Sequence, residues 1–385
     1  MFRRIDALPP YVFASVDQLK RELRREGRDV IDLGFGNPDL PSPALAVEKL
    51  REAALNPRNH RYSASRGIEQ LRVALADHYA AVYGVELDPE MQVVTTIGAK
   101  EGLAHLMWVL VEAGDAVVVP TPAYPIHQVA PRLAGATVVT ASVGRGVEAV
   151  EEAVRSARPR VVIVSYPHNP TTSVASAADM QRLVDLAREH EFVLVHDFAY
   201  ADIAFDGYQP PSVLAATGAS ECAVELYSLT KSFSMAGWRV GFAVGNPDVI
   251  AALAKLKSYL DYGTFQPIQI AATVTLRQQR AYLAEVRDVY RGRRDALCEG
   301  LARAGWSVPP PPATMFVWAE VPASFRAEGS LAFSLRLARE ADVATSPGIG
   351  FGEGGEGYVR FALVENAQRI GQATRQIRRF LNGCR

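Results

Sequence analysis

The stretch between Met91 and Gly245 constrains the fold more than any other part of the chain. Short runs of Val, Ile and Leu alternate there with longer amphipathic segments. "MQVVTTIG" reads as a strand and "AKEGLAHLMWVLVEAG" as a helix closed by Gly114. "DAVVVPTPAY" reads as a strand and turn, and "PRVVIVSYPHNP" as a strand ended by proline. "ADMQRLVDLAREH" reads as a helix, "FVLVHDFAY" as a strand, and "AVELYSLTK" and "VGFAVG" as two more. Strands apolar at nearly every position have no solvent face. The sheet must therefore be covered on both sides, which a mostly parallel sheet with crossover helices achieves. Such sheets bind ligands beyond the carboxyl ends of their strands. Gly98, Tyr124, Asn169, Asp197 and Lys231 each follow a strand directly.

The C-terminal third reads differently. A helical stretch runs from about Gln278 to Ala304, followed by shorter strands in "PPPPATMFVWAEV" and "GYVRFALV". At 385 residues the chain exceeds what one small core organises. The expected division is a large α/β domain over 45–278. Residues 1–44 plus 279–385 are expected to form a smaller α+β domain with an N-terminal arm.

Composition excludes several classes. At 49% hydrophobic and 22% charged the chain is that of an ordered globular protein. A net charge of −1 offers no basic field to nucleic acid or anionic lipid. Cys222, Cys298 and Cys384 are scattered and form no CxxC, as suits a reducing compartment. "MFRRIDALPPYVF" has no apolar run behind its arginines, and the longest apolar runs, such as 106–111, are too short for a span. The expectation is a cytoplasmic protein without membrane or nucleic-acid partners.

Some motifs have ordinary readings. "GFGEGG" at 350–355 matches GxGxxG, but a strand-like segment follows it instead of a helix, so a glycine-rich turn is expected. "SLTK" matches SxxK, yet neither SDN nor KTG occurs. His168 and His196 lie near strand ends without an HExxH or an acidic cluster. They read as hydrogen-bonded structural histidines, and no metal is expected.

Lysine usage is informative. Only six of the 41 cationic residues are lysines: Lys20, Lys49, Lys100, Lys231, Lys255 and Lys257. In "SLTKSFSMAGWRVG", Lys231 and Arg239 flank the mouth of a buried strand. Such a lysine is a solvated surface group, an ion-pair partner or a nucleophile, which arginine cannot be. Asp197 and Tyr200 in "VHDFAY", Asn169 in "YPHNPTT", Ser228 beside Lys231, and the small residues Gly98 and Ala99 at a helix N-terminus complete a constellation. It supplies an amine, an anion cradle, a carboxylate and polar groups for a phenolate-like oxygen, the requirements of pyridoxal 5′-phosphate (PLP) chemistry.

From about Ile5 to its end the chain resembles the class I/II aminotransferases of PLP fold type I. "SLTKSFSMAGWRVGF" resembles that family's cofactor-lysine segment. "IDALPPYVF", "YSASRGIEQLR", "IGAKEGLAHLM", "HDFAYADIAFDG", "LKSYLDYGTFQP" and "SPGIGFG" resemble the alanine transaminases of enteric bacteria. The resemblance implies a seven-stranded-type, mostly parallel sheet and these roles. Lys231 carries PLP covalently and moves the proton. Asp197 pairs with the pyridine nitrogen. Tyr200 and Asn169 bond the ring oxygen, and Tyr124 stacks on the ring. Ser228, Arg239 and the amides of Ala99 and Lys100 hold the phosphate, and Tyr62 reaches the phosphate of the partner in a homodimer with shared sites. Arg360 grips the substrate carboxylate with help from Gly36 and Asn169. The family's Asn-Pro-Thr-Gly turn is Asn169-Pro170-Thr171-Thr172 here, a departure that can reshape the turn.

The implied reaction is ping-pong transfer of an amino group between amino acids and 2-oxo acids, with alanine/glutamate and pyruvate/2-oxoglutarate expected. Aspartate or LL-diaminopimelate aminotransferases, and a PLP-dependent lyase, are the alternatives. No arginine lies between Arg239 and Arg277 to clamp a distal carboxylate, and Asp261 is expected to repel one. For glutamate's distal carboxylate, Arg3, Arg4, Tyr11 and Tyr262 are open candidates.

Overall fold

A computed structural model describes residues 2–6, 8 and 11–383 of the chain. In chain order its strands are β1 (Ile31–Asp32), β2 (Val93–Thr96), β3 (Ala116–Thr121), β4 (Thr137–Ser142), β5 (Val161–Ser165) and β6 (Val193–Asp197). There follow β7 (Ala223–Ser228), β8 (Gly241–Gly245), β9 (Phe316–Glu320), β10 (Val343–Ala344), β11 (Ser346–Pro347) and β12 (Tyr358–Ala362).

Seven strands form one sheet in the order β2-β8-β7-β6-β5-β3-β4. β4, β3, β5, β6 and β7 are parallel, while β8 runs antiparallel to both β7 and β2. The apolar runs bury side chains on both faces, as expected of covered strands. Val162 and Val164 of β5 pack with the helices Gly146–Ala157 and Ala177–Glu189 on one side. Val161 and Ile163 pack with Ala99–Leu110 and Pro247–Leu260 on the other. A fully buried Val or Ile contributes roughly 1.5–3 kcal/mol, so this double layer anchors the strand ends that carry the site.

β9, β11 and β12 form a separate antiparallel sheet, and β1 pairs in parallel with β10. Ile31 and Leu33 lie in one core with Phe316, Phe361 and the helices Arg280–Arg303 and Ala367–Gly383. The N-terminal segment thus packs with the C-terminal third.

Three sequence readings need adjustment. The helix opening at Ala99 ends at Leu110, because Val111 turns extended, and Gly114 lies beyond it at φ 102°. The long C-terminal helix starts at Arg280, and a separate helix, Gln266–Gln278, precedes it. β4 was unread. It is the sheet edge, half-exposed, and lacks the apolar run of its neighbours. The GxGxxG stretch is a pair of short turns leading into β12, as expected.

Candidate active site

The parallel strands β3, β5, β6 and β7 all end at one edge of the sheet. Tyr124, Asn169, Asp197 and Lys231 therefore meet there, as the strand-end rule expects. β8 runs the other way and begins at the same edge. Its reversal brings Arg239, just before β8, back beside Lys231, just after β7. The edge opens into a cavity of about 450 Å3, lined by every residue to which the family resemblance assigns a cofactor or substrate role except Tyr62; Gly98 does not line it. Tyr62 is 84% exposed and packs on Tyr262 with ring centroids 4.6 Å apart. The single chain does not bring it to the cavity.

Lys231 follows β7 on a short turn whose first amide is capped by Ser228 Oγ, which accepts from Thr230 N. Its Nζ donates to Gly36 O at 2.7 Å and makes no ion pair among the described residues. Burial first, then Arg360 and Arg239, pull its pKa down to about 7. Lys20 and Lys257 are also buried, but each sits against two carboxylates. Of the sequence-level alternatives for Lys231, the solvated and ion-paired ones therefore lapse.

Asp197 Oδ2 lies 2.8 Å from His127 Nε2, and its Oδ1 accepts from Ala199 N at 3.2 Å. His127 is buried on the first turn of the helix Pro125–Ala134. Sequence reasoning missed it, although its place three residues after Tyr124, at a helix start, puts it on the same face. His168 is neutral, pulled down to about 3 by burial and then by His127, and bonds Thr171 Oγ1. His196 bonds Glu225 and the Tyr166 backbone. Both are structural, as expected. Burial pushes the Tyr200 phenol well above its ordinary range, opposed by Arg360.

At one end of the cavity, Gly98 precedes the helix Ala99–Leu110 with φ 81°, and a Cβ there would overlap the Arg239 guanidinium. A Cβ on Gly241 would lie 2.6 Å from the Ala99 amide nitrogen. Two glycines thus let a helix N-terminus and an arginine converge, an anion cradle. Arg239 also donates to Ala236 O and Ile97 O.

At the opposite end, Arg360 of β12 is buried between the rings of Phe316 and Phe351, 4.0 and 4.8 Å from their centroids. It donates to Asn169 Oδ1 at 2.7 Å and Gly34 O at 3.0 Å, while its Nε is buried without a partner. Burial brings its pKa down to about 10, and it stays cationic. The cradle, the low-pKa amine, the carboxylate and the orphaned Nε together fit PLP with a carboxylate-bearing substrate.

Thr172, where the family has glycine, has φ 62°. The backbone keeps the turn that glycine favours and places a β-branched residue in it.

Asp261 does not act as expected. It accepts from Lys257 Nζ at 3.1 Å and Gly263 N at 2.7 Å, and it does not line the cavity. It shares the Lys257 ammonium with Glu101 and, in the single chain, lies away from the cavity where a second carboxylate would sit. Lys257 and Asp261 stand four apart, a spacing that could have been read. Among the described residues, Glu101, His105 and Asp261 come together as three potential metal ligands. The Lys257 ammonium lies among them, 2.9 Å from Glu101, and supplies the positive charge there. Of the distal-carboxylate candidates, Tyr11 lines the cavity and Tyr262 does not. The side chains of Arg3 and Arg4 lie outside the described residues, as does Cys384.

A family model described as "Aminotransferase class I and II" matches residues 28–377. The chain is 50% identical to "Putative aminotransferase AatC" of Rhizobium meliloti, over 100% of this chain and 96% of that protein. It is 47% identical to "Glutamate-pyruvate aminotransferase AlaC" of Escherichia coli (98% and 93%). It is 42% identical to an LL-diaminopimelate aminotransferase of Moorella thermoacetica (98% and 98%). Among solved structures, substrate-bound BacF of Bacillus subtilis superposes with a TM-score of 0.90 at 35% identity, covering 98% of this chain and 96% of that one.

Proposed function

The chain belongs to the class I and II aminotransferase family, a PLP-dependent family of amino-group transferases acting on amino and 2-oxo acids, and on that premise we propose that it works chiefly between alanine and glutamate, with pyruvate and 2-oxoglutarate as their oxo-acid partners. The observation that carries the assignment of the site is Lys231. It is a cavity lysine with no carboxylate partner, and its pKa of about 7 leaves a large neutral fraction at physiological pH.

Bound PLP supplies an electron sink for the bond-breaking step at the substrate Cα. The chain's residues do the rest. Lys231 Nζ would hold the cofactor covalently and would accept and return the Cα proton. Asp197, oriented by His127, supplies the anion that keeps the pyridine nitrogen protonated. Tyr200 and Asn169 place donors at the ring oxygen, and Tyr124 covers the ring face. Ser228, Arg239 and the Ala99 and Lys100 amides bind the phosphate. Arg360, fixed between Asn169 and Gly34, takes the substrate carboxylate.

The active unit in this proposal is a homodimer in which Tyr62 serves the neighbouring phosphate. Tyr62 and Tyr262 pack on each other at the surface, and Tyr259 and Phe265 are exposed nearby in the chain, aromatic exposure of the kind that marks an interface. The division into 45–278 and 1–44 plus 279–385 belongs to the same proposal.

Two things support alanine over aspartate: the 47% identity to a glutamate-pyruvate aminotransferase, and the lack of any arginine between Arg239 and Arg277. The 42% identity to an LL-diaminopimelate aminotransferase keeps that substrate as the second reading. The test is kcat/KM for alanine, aspartate and LL-diaminopimelate, each with 2-oxoglutarate. Alanine is expected to lead, and a value for either competitor at or above alanine's overturns the substrate assignment.

A further inference from the structure

Lys20 makes contacts that the site described above does not use. It lies on the helix Phe13–Arg25, 7% exposed, with its ammonium 2.6 Å from both Asp17 Oδ1 and Asp32 Oδ2. A compact ammonium on a flexible stem can reach two carboxylates on different elements at once. Asp32 ends β1, and its other oxygen, Oδ1, accepts from the amides of Gly34 and Phe35 at 3.0 and 3.4 Å. One carboxylate therefore joins the N-terminal helix to the turn 34–36.

That turn presents two carbonyls to the site. Gly34 O accepts from Arg360 Nη2 at 3.0 Å and from Ser346 Oγ at 2.8 Å. Gly36 O accepts from Lys231 Nζ at 2.7 Å. The turn has little slack. A Cβ on Gly36 would come 2.6 Å from the Phe316 ring, and one on Gly34 3.2 Å from the Thr345 carbonyl carbon. A displacement of Asp32 is thus passed on to both Lys231 and Arg360.

We propose that Lys20 is a positioning residue for amino-group transfer: through Asp32 it fixes the turn 34–36, whose carbonyls orient Arg360 for the substrate carboxylate and hold the Lys231 amine. The inference rests on the roles given to Lys231 and Arg360 under Proposed function.

The test compares Lys20→Met, Lys20→Arg and Asp32→Asn with the wild-type chain. In steady state, Lys20→Met raises KM for the amino donor about tenfold and lowers kcat much less, because carboxylate binding is what slackens. In the apoprotein, the pH dependence of acetic anhydride labelling at Lys231, read by peptide mapping, shifts as well. The Gly36 carbonyl favours the ammonium form, so losing part of that bond lowers the midpoint by about 0.5–1 pH unit. The other charged groups around that amine, Arg360, Arg239 and Asp197, keep their identities in all three variants. Lys20→Arg keeps the charge and restores KM to within about threefold of wild type. Asp32→Asn keeps the shape, weakens the ion pair, and moves both readouts in the same direction, which keeps the inference testable if Lys20→Met does not fold. A folded Lys20→Met or Asp32→Asn chain with unchanged KM and an unchanged Lys231 midpoint overturns the inference. Borohydride trapping of the wild-type cofactor separates the two readings. Trapping on another lysine sinks the functional reading itself, whereas trapping on Lys231 with silent variants sinks only this inference.

Discussion

Replacing Arg360 with lysine keeps a positive charge and removes the planar fork. The guanidinium uses Nη1 on Asn169 and Nη2 on Gly34, stacks between Phe316 and Phe351, and leaves Nε buried and unpartnered for a ligand. A lysine would lose one charge-assisted hydrogen bond to the substrate, roughly 1.5–3 kcal/mol, and much of the ring contact, roughly 1–2 kcal/mol. The expected sum of about 2.5–5 kcal/mol is a fall of about 70- to 5000-fold in kcat/KM. A pH effect accompanies it. The burial that brings Arg360 down to about 10 would likewise hold a lysine's pKa at a value below its ordinary one. The charged form binds the carboxylate, so residual activity of the variant should fall as pH rises through that value, while the wild-type arginine stays charged. The assay is stopped-flow decay of the bound cofactor's visible band on mixing with L-alanine or with ethylamine, which has no carboxylate. The variant should lose its advantage only toward alanine. A loss under tenfold for alanine, or an equal loss for ethylamine, refutes the carboxylate role.

Three other outcomes follow from the same geometry. Reloading of the apoprotein with PLP at Lys231 should speed up as pH rises through about 7 and level off above it, because the neutral amine is the attacking form; a rate still climbing toward pH 10 means the amine is an ordinary lysine. His127→Ala should lower kcat by about 10- to 100-fold, the size of one hydrogen bond to a charged group, with PLP still bound; unchanged kcat would show that Asp197 needs no orienting partner. Thr172→Gly should raise stability in urea by about 0.5–1 kcal/mol, since relief of φ 62° outweighs the added freedom of glycine in the unfolded chain; a lower urea midpoint would show that packing of the Thr172 side chain dominates.

Local chemistry made much of this protein legible from its sequence. Apolar runs such as "VVIV" and "FVLV" specify covered strands because burial on both faces leaves no place for polar residues, and strand ends then locate Asn169, Asp197 and Lys231. Scarce lysine and the "SLTK…GWR" segment pointed to a cavity amine with an arginine beside it. The half-exposed edge strand β4 escaped notice because an edge tolerates polar residues at alternate positions. Only the tertiary structure decided the rest. The reversal of β8 brings Arg239 back beside Lys231, the turn of a separate helix delivers His127 to Asp197, and β12 carries Arg360 to Asn169, 191 positions earlier in the chain. The same is true of Asp261, whose charge looked free until Lys257 was seen on it. A sequence fixes short-range periodicity through neighbouring residues. Which distant charges meet depends on strand order and direction, and those are set by the packing of the whole core.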